Sequence, residues 1–186
     1  SDLAPYFLKC TLRGDGSVPI AGVEIDSRRV SPGDLFCCVE GFAADGHDYA
    51  ADALDRGAAA LLARRPLPLD APQLIVPDTR SGAAVAAKVF YGHPSASMRV
   101  IGVTGTNGKT TTTNLIEAIL SASGKKTGLM GTIAVKIGGA PEAAVRTTAD
   151  AVTLQRTLRR MADAGAEYCV MEVSSHALHQ GRTIGI

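Results

Sequence analysis

Three glycines, a lysine and five threonines are crowded into VIGVTGTNGKTTT, from Val100 to Thr112. A phosphate chain is held by backbone N–H groups that point inward from a tight turn, so side chains must be absent where the backbone comes closest. Gly105 and Gly108 meet that requirement, with Thr106 and Asn107 between them. Lys109 can neutralise the β and γ phosphates of ATP. Thr110 or Thr111 can give a hydroxyl to Mg²⁺ at a helix N-terminus, where the helix dipole favours anions. The commoner spacing, G-x-x-x-x-G-K-[ST], would place glycine at Val103, so Gly105-x-x-Gly108-Lys109-Thr110 is a shorter variant of such a loop. A glycine turn that merely caps a helix competes with this reading, but a strand before and an amphipathic helix after the loop favour phosphate binding.

Glu172 is the second candidate. It ends an apolar run, Glu167 to Val173, and open α/β sheets bind their ligands at the carboxyl ends of strands. A carboxylate there can hold Mg²⁺ directly or through water; a strand-end acid paired with a lysine is the alternative. Lys109 and Glu172 are therefore the catalytic candidates, and Thr110, Thr111 and Glu172 the metal-ligand candidates. His176 and His179 stand three apart, but without a third ligand that spacing does not make a zinc site.

These groups need a scaffold, and the chain reads as two. In the first, the turn signal Ser31-Pro32-Gly33-Asp34 precedes a buried strand at Leu35 to Val39. A helix follows at Tyr49 to Arg56, then strands at Ala58 to Ala63 and Gln73 to Val76, then a helix at Thr79 to Tyr91. The polar stretch His93 to Ser97 marks a boundary, giving domains 1–97 and 98–186. In the second, Met98 to Val103 is a strand leading into the phosphate loop. Thr110 to Ser123 is a helix with Leu115, Ile116, Ile119 and Leu120 on one face; Thr127 to Met130 and Ile133 to Ile137 are strands joined near Gly131. A helix at Thr153 to Ala164 and the strand at Glu167 to Val173 complete the pattern. The expected fold class is α/β: a small N-terminal α/β domain followed by a P-loop-type parallel-sheet ATPase domain. No helix follows to cover the last sheet edge before Ile186, so the second domain is expected to be truncated.

MEVSSHALHQGR, Met171 to Arg182, together with VTGTNGKTTT, resembles the Mur ligases, and within them the branch that extends UDP-MurNAc-L-Ala-D-Glu. The segment Glu24 to Leu61, EIDSRRVSPGDLFCCVEGFAADGHDYAADALDRGAAAL, is similar to the N-terminal domain of that branch, which holds the uridine end of the substrate. The resemblance implies an ATP-dependent amide-bond ligase: a carboxylate of UDP-MurNAc-L-Ala-D-Glu is phosphorylated, and the acyl phosphate is attacked by the amine of a diamino acid. Lys109 and Mg²⁺ would screen the charges of γ-phosphate and carboxylate. The family's nucleotide contacts map to Gly105, Thr106, Asn107, Gly108, Lys109, Thr110 and Thr111. Its sugar-nucleotide contacts map to Ile25, Ser27, Phe42, Ala43 and Ala44, and its muramoyl-dipeptide contacts to Thr147, Thr148, Ser174, Gln180 and Arg182. Phe42 and Ala43 differ from more polar residues in some members, Arg146 stands where some have Asn, and Ala149 where many have Pro. A carbamylated lysine and an amine-selecting domain of the family pattern would lie after Ile186, so ligase activity is not expected of these residues alone.

Nineteen Lys and Arg against eighteen Asp and Glu leave a net charge of +1, which gives no electrostatic reason to expect nucleic acid or an anionic membrane as partner. Hydrophobic residues make up 46% of the chain, enough for a sizeable core. Cys10, Cys37, Cys38 and Cys169 show no C-x-x-C spacing and read as reduced thiols, mostly in apolar runs. With no secretory signal pattern and no apolar run of membrane-spanning length, the expected location is the cytoplasm. Related ligases of the folylpolyglutamate or cyanophycin synthetase type share such a loop; against them stand Lys-Thr-Thr-Thr and the EVSSHAL and DSRR blocks. A non-catalytic nucleotide-binding module is a further alternative.

Overall fold

The computed structural model describes residues 3–7, 9–41, 44–144 and 147–186. They form two compact units, Ser1–Phe90 and Tyr91–Ile186.

The first unit is built on the strands β1 (Thr11–Arg13), β2 (Gly22–Glu24), β3 (Asp34–Cys37), β4 (Ala60–Ala63) and β5 (Gln73–Ile75), in the order β1-β5-β4-β3-β2. All neighbours are parallel except β1, which runs antiparallel to β5. Every residue of β3 and β4 is buried, as near-continuous apolar strands must be when both faces of a parallel sheet are covered. Helices α1 (Ala50–Asp55) and α2 (Thr79–Phe90) supply cover, α2 burying Ala83, Ala84, Ala86 and Ala87. Phe36 and Leu61 are the large side chains of the core between the sheet and α1. The sequence reading missed β1 and β2. They are three residues each at the sheet's edges, and β1 is exposed throughout, so no apolar alternation marks it.

In the second unit a 3-10 turn, Pro94–Ser97, leads into β6 (Arg99–Val103), α3 (Lys109–Ala122), β7 (Thr127–Met130), β8 (Ala134–Ile137) and β9 (Ala140–Ala143). Then come α4 (Ala151–Asp163), β10 (Tyr168–Glu172) and α5 (Ser175–His179). The sheet order is β6-β10-β7-β8-β9. Strands β6, β10 and β7 are parallel, whereas β8 and β9 continue antiparallel. The parallel sheet expected here is thus extended by a two-hairpin flap. The links force this: three residues separate β7 from β8, and Gly138-Gly139, both at positive φ, separate β8 from β9. Such links close hairpins but cannot make a parallel crossover.

Helix α4 starts at Ala151, two residues before the expected Thr153, because the Asp150 side chain accepts the Thr153 N–H at 2.9 Å and caps it. It buries Leu154, Leu158 and Met161 against Met130, Cys169 and Met171 of the sheet. On α3 the expected apolar face divides: Ile116 and Leu120 are half-buried, while Leu115 and Ile119 are 59% and 60% exposed.

Candidate active site

Strand order brings the chemistry together. Because β10 lies between β6 and β7, the connections leaving the carboxyl ends of all three emerge side by side, and Glu172 pairs in register with Val103, the last residue of β6 before the glycine-rich loop. The loop turns into α3 through Gly108 at φ 80°, a left-handed conformation that a Cβ would strain; Gly105 also has positive φ. Glu172 is 1% exposed. Its Oε1 accepts the Thr132 N–H at 2.8 Å and the Thr110 hydroxyl at 3.0 Å, and its Oε2 accepts the Thr132 hydroxyl at 3.1 Å. Among the described residues it has no cationic partner, so the lysine-paired alternative does not hold. Three donors replace the water that burial removes from the carboxylate.

A cleft of about 450 Å³ opens over these groups, lined by the loop from Thr106 to Thr111, by Thr132 and Thr147, and by Glu172 and Ser174. Lys109 Nζ donates to the carbonyl oxygens of Gly105 and Thr106 at 2.7 and 3.3 Å. Thr110 Oγ1 and the Glu172 carboxylate are hard oxygen donors already within hydrogen-bond reach of each other, a donor set that suits Mg²⁺. The Thr111 hydroxyl has no hydrogen-bond partner among the described residues, so it is unengaged at the cleft wall.

The dipeptide candidates separate into two groups. Thr147 and Ser174 line the cleft; Ser174 also caps α5, its Oγ accepting the Ala177 N–H at 3.1 Å. Thr148, 2% exposed, donates its hydroxyl to the Glu172 carbonyl at 2.9 Å and accepts the Ser174 N–H at 3.1 Å. Arg182 donates to the Thr148 carbonyl at 2.6 Å and to the Gln180 side chain at 2.6 and 2.9 Å. Thr148, Gln180 and Arg182 therefore brace the connection after β10. His176 and His179 are exposed on α5. Thr132 is the cleft residue the sequence reading missed; its one signal was a Gly-Thr pair directly after β7.

In the first unit, Ile25 and Ser27 follow β2 and Ala44 follows β3; these strands are parallel neighbours, so both connections leave the same end of the sheet. Ser27 opens a 3-10 turn capped by Asp26, and its hydroxyl has no hydrogen-bond partner among the described residues. Phe42 and Ala43 lie outside the described residues. Near this loop Glu40, Asp45 and His47 bring potential metal-binding atoms within 4.8 Å of one another. Their donors are taken: Arg64 pairs with Glu40 at 2.9 Å and Arg65 with Asp45 at 3.2 Å. His47 Nε2 accepts the Arg64 N–H at 2.9 Å, so Nδ1 carries the proton and donates to Asp45 at 2.5 Å.

The pattern described as "Mur ligase family, catalytic domain" matches residues 19–107, and that described as "Mur ligase middle domain" matches residues 103–186. The chain belongs to the Mur ligase family. Among its relatives, the UDP-N-acetylmuramoyl-L-alanyl-D-glutamate--2,6-diaminopimelate ligase of Geobacillus thermodenitrificans is 53% identical over 91% of this Mur ligase chain and 35% of its own length. The Bacillus velezensis protein of the same name is 42% identical over 98% of the chain and 38% of its own length. A solved structure of a ligase of that name superimposes with TM-score 0.77 at 33% identity, covering 90% of the chain and 34% of its own. The structure of MurF ligase from Thermotoga maritima in complex with ADP aligns with TM-score 0.53 at 25% identity, covering 83% and 32%. The chain thus spans about a third of the length of these Mur ligase relatives. No helix among the described residues is long and apolar enough to cross a membrane.

Proposed function

We propose that this chain carries the substrate-binding and first nucleotide-binding parts of a cytoplasmic, ATP-dependent ligase of peptidoglycan precursor synthesis, residues 1–97 serving the UDP end and 98–186 the nucleotide. The substrates are UDP-MurNAc-L-Ala-D-Glu and a diamino acid, which the names of the relatives give as 2,6-diaminopimelate. What carries the reading is one cleft in which Lys109, Thr110, Thr147, Glu172 and Ser174 converge. The structure of a MurF ligase is a complex with ADP, which supports a nucleotide as a ligand of this fold.

Lys109 leaves the loop carbonyls and turns to the β and γ phosphates. Gly105 to Thr111 wrap the phosphate chain, and the N-terminus of α3 faces it. Thr110 and Glu172, with Thr111 on the same cleft wall, would hold Mg²⁺, which would supply neutralisation of the negative charge on γ-phosphate and substrate carboxylate. Thr147 and Ser174 hold the dipeptide, with Thr148, Gln180 and Arg182 fixing the backbone behind them; Ile25, Ser27, Phe42, Ala43 and Ala44 hold the uridine end.

Calorimetry with Mg·ATP tests the reading. Lys109→Ala should weaken nucleotide affinity roughly ten- to hundredfold, as loss of a hydrogen bond to a charged group does, and unchanged affinity would refute it. Thermal stabilisation by UDP-MurNAc-L-Ala-D-Glu separates the ligase from a nucleotide-only module, in which that ligand has no effect.

A further inference from the structure

Thr132 makes three contacts that define its chemistry. Its N–H reaches Glu172 Oε1, its hydroxyl reaches Glu172 Oε2, and the same hydroxyl lies 3.0 Å from Thr147 Oγ1. A carboxylate can only accept, so the Thr132 proton goes to Glu172. Thr132 Oγ1 then accepts from Thr147, and the hydrogen bonds run one way, from Thr147 through Thr132 to Glu172. Thr110 likewise gives its proton to Oε1, which leaves its lone pairs for a cation. Gly131 leaves room for this grip: a Cβ there would stand 2.8 Å from Glu172 Oε1 and would have to displace the carboxylate from its present position.

We propose that Thr132 is a positioning residue, clamping both oxygens of Glu172 in the orientation that receives a divalent cation and linking that carboxylate to Thr147 on the substrate side of the cleft. The inference rests on the nucleotide reading of the cleft. Thr132 itself is exposed at the cleft surface, so its hydroxyl is not needed to fill the core. Partners that orient a metal ligand without touching the metal change metal affinity about ten- to hundredfold when removed. The linkage is reciprocal: whatever draws the Thr147 proton away from Thr132 alters the hold on Glu172.

The test uses the 186-residue chain and a non-hydrolysable ATP analogue, titrated calorimetrically with Mg²⁺ and again in EDTA. Thr132→Val removes the hydroxyl at nearly constant shape, and Thr132→Ser restores it; circular dichroism confirms that both are folded. The wild type should bind the analogue more tightly with Mg²⁺ than in EDTA. T132V should lose about tenfold of that gain with its EDTA affinity unchanged, and T132S should behave as wild type. A merely structural role would lower both affinities together, and that result overturns the proposal. So does a T132V that keeps the full Mg²⁺ gain beside a responsive wild type. A wild type that gains nothing from Mg²⁺ overturns both the proposal and the metal-assisted reading of the cleft.

Discussion

Lys109 Nζ rests on the carbonyls of Gly105 and Thr106, so on the proposed reading of the cleft its ammonium is already held on the loop that a phosphate would meet. The Asp45 carboxylate in the first unit is equally engaged, bonded to the His47 N–H and ring and to Arg65. Asp45 is held down to about 2 by the His47 backbone N–H, with further help from the His47 ring and Arg65. A carboxyl whose folded value lies below its ordinary value of 3.8 stabilises the fold above that value, and the contribution is lost as pH falls towards 2. Asp45→Asn keeps a capping acceptor but loses the charge. Its stability relative to wild type should be lowest at neutral pH, and the difference should shrink between pH 4 and pH 2 in chemical denaturation. A constant difference across that range would refute the assignment.

At the scale of elements, the site depends on close approach between short connections. Gly131 is buried directly after β7, and a Cβ on it would stand 2.8 Å from Glu172 Oε1. Gly131→Ala should destabilise the chain by about 1–3 kcal/mol through overpacking, read as a lower denaturant midpoint. An unchanged midpoint would mean that Glu172 moves aside freely. The glycine-rich loop between β6 and α3 was legible in the sequence because its signal is local: Gly105, Gly108, Lys109 and Thr110 lie within six consecutive residues, between an apolar run and a helical one. The antiparallel flap was less so. Ala140–Ala143 is exposed throughout and includes Pro141, which is found in sheets only at edges and strand ends, so neither periodicity nor propensity marks it.

Over the whole molecule, the four cysteines divide by burial. Cys37, Cys38 and Cys169 are buried, and Cys10 is partly exposed. Burial pushes the Cys38 and Cys169 thiols up to about 12 and Cys37 well above its ordinary range, so thiolate is scarce at these positions near neutrality. A thiol reagent at pH 8 should titrate no more than Cys10 quickly in the folded chain and all four cysteines after denaturation. Rapid reaction at Cys37, Cys38 or Cys169 would contradict the buried cores of both units.

The sequence by itself determined the glycine-rich loop between β6 and α3, the strand that ends in Glu172 and the two α/β units, because each is written in consecutive residues as apolar runs, glycines and caps. Only the tertiary structure decided that Thr132, 40 positions from Glu172, closes on that carboxylate, and that Thr148 and Arg182 brace the site from behind. Those contacts arise because β10 inserts between β6 and β7, a strand order that no local pattern encodes and that hydrophobic packing of the whole sheet selects.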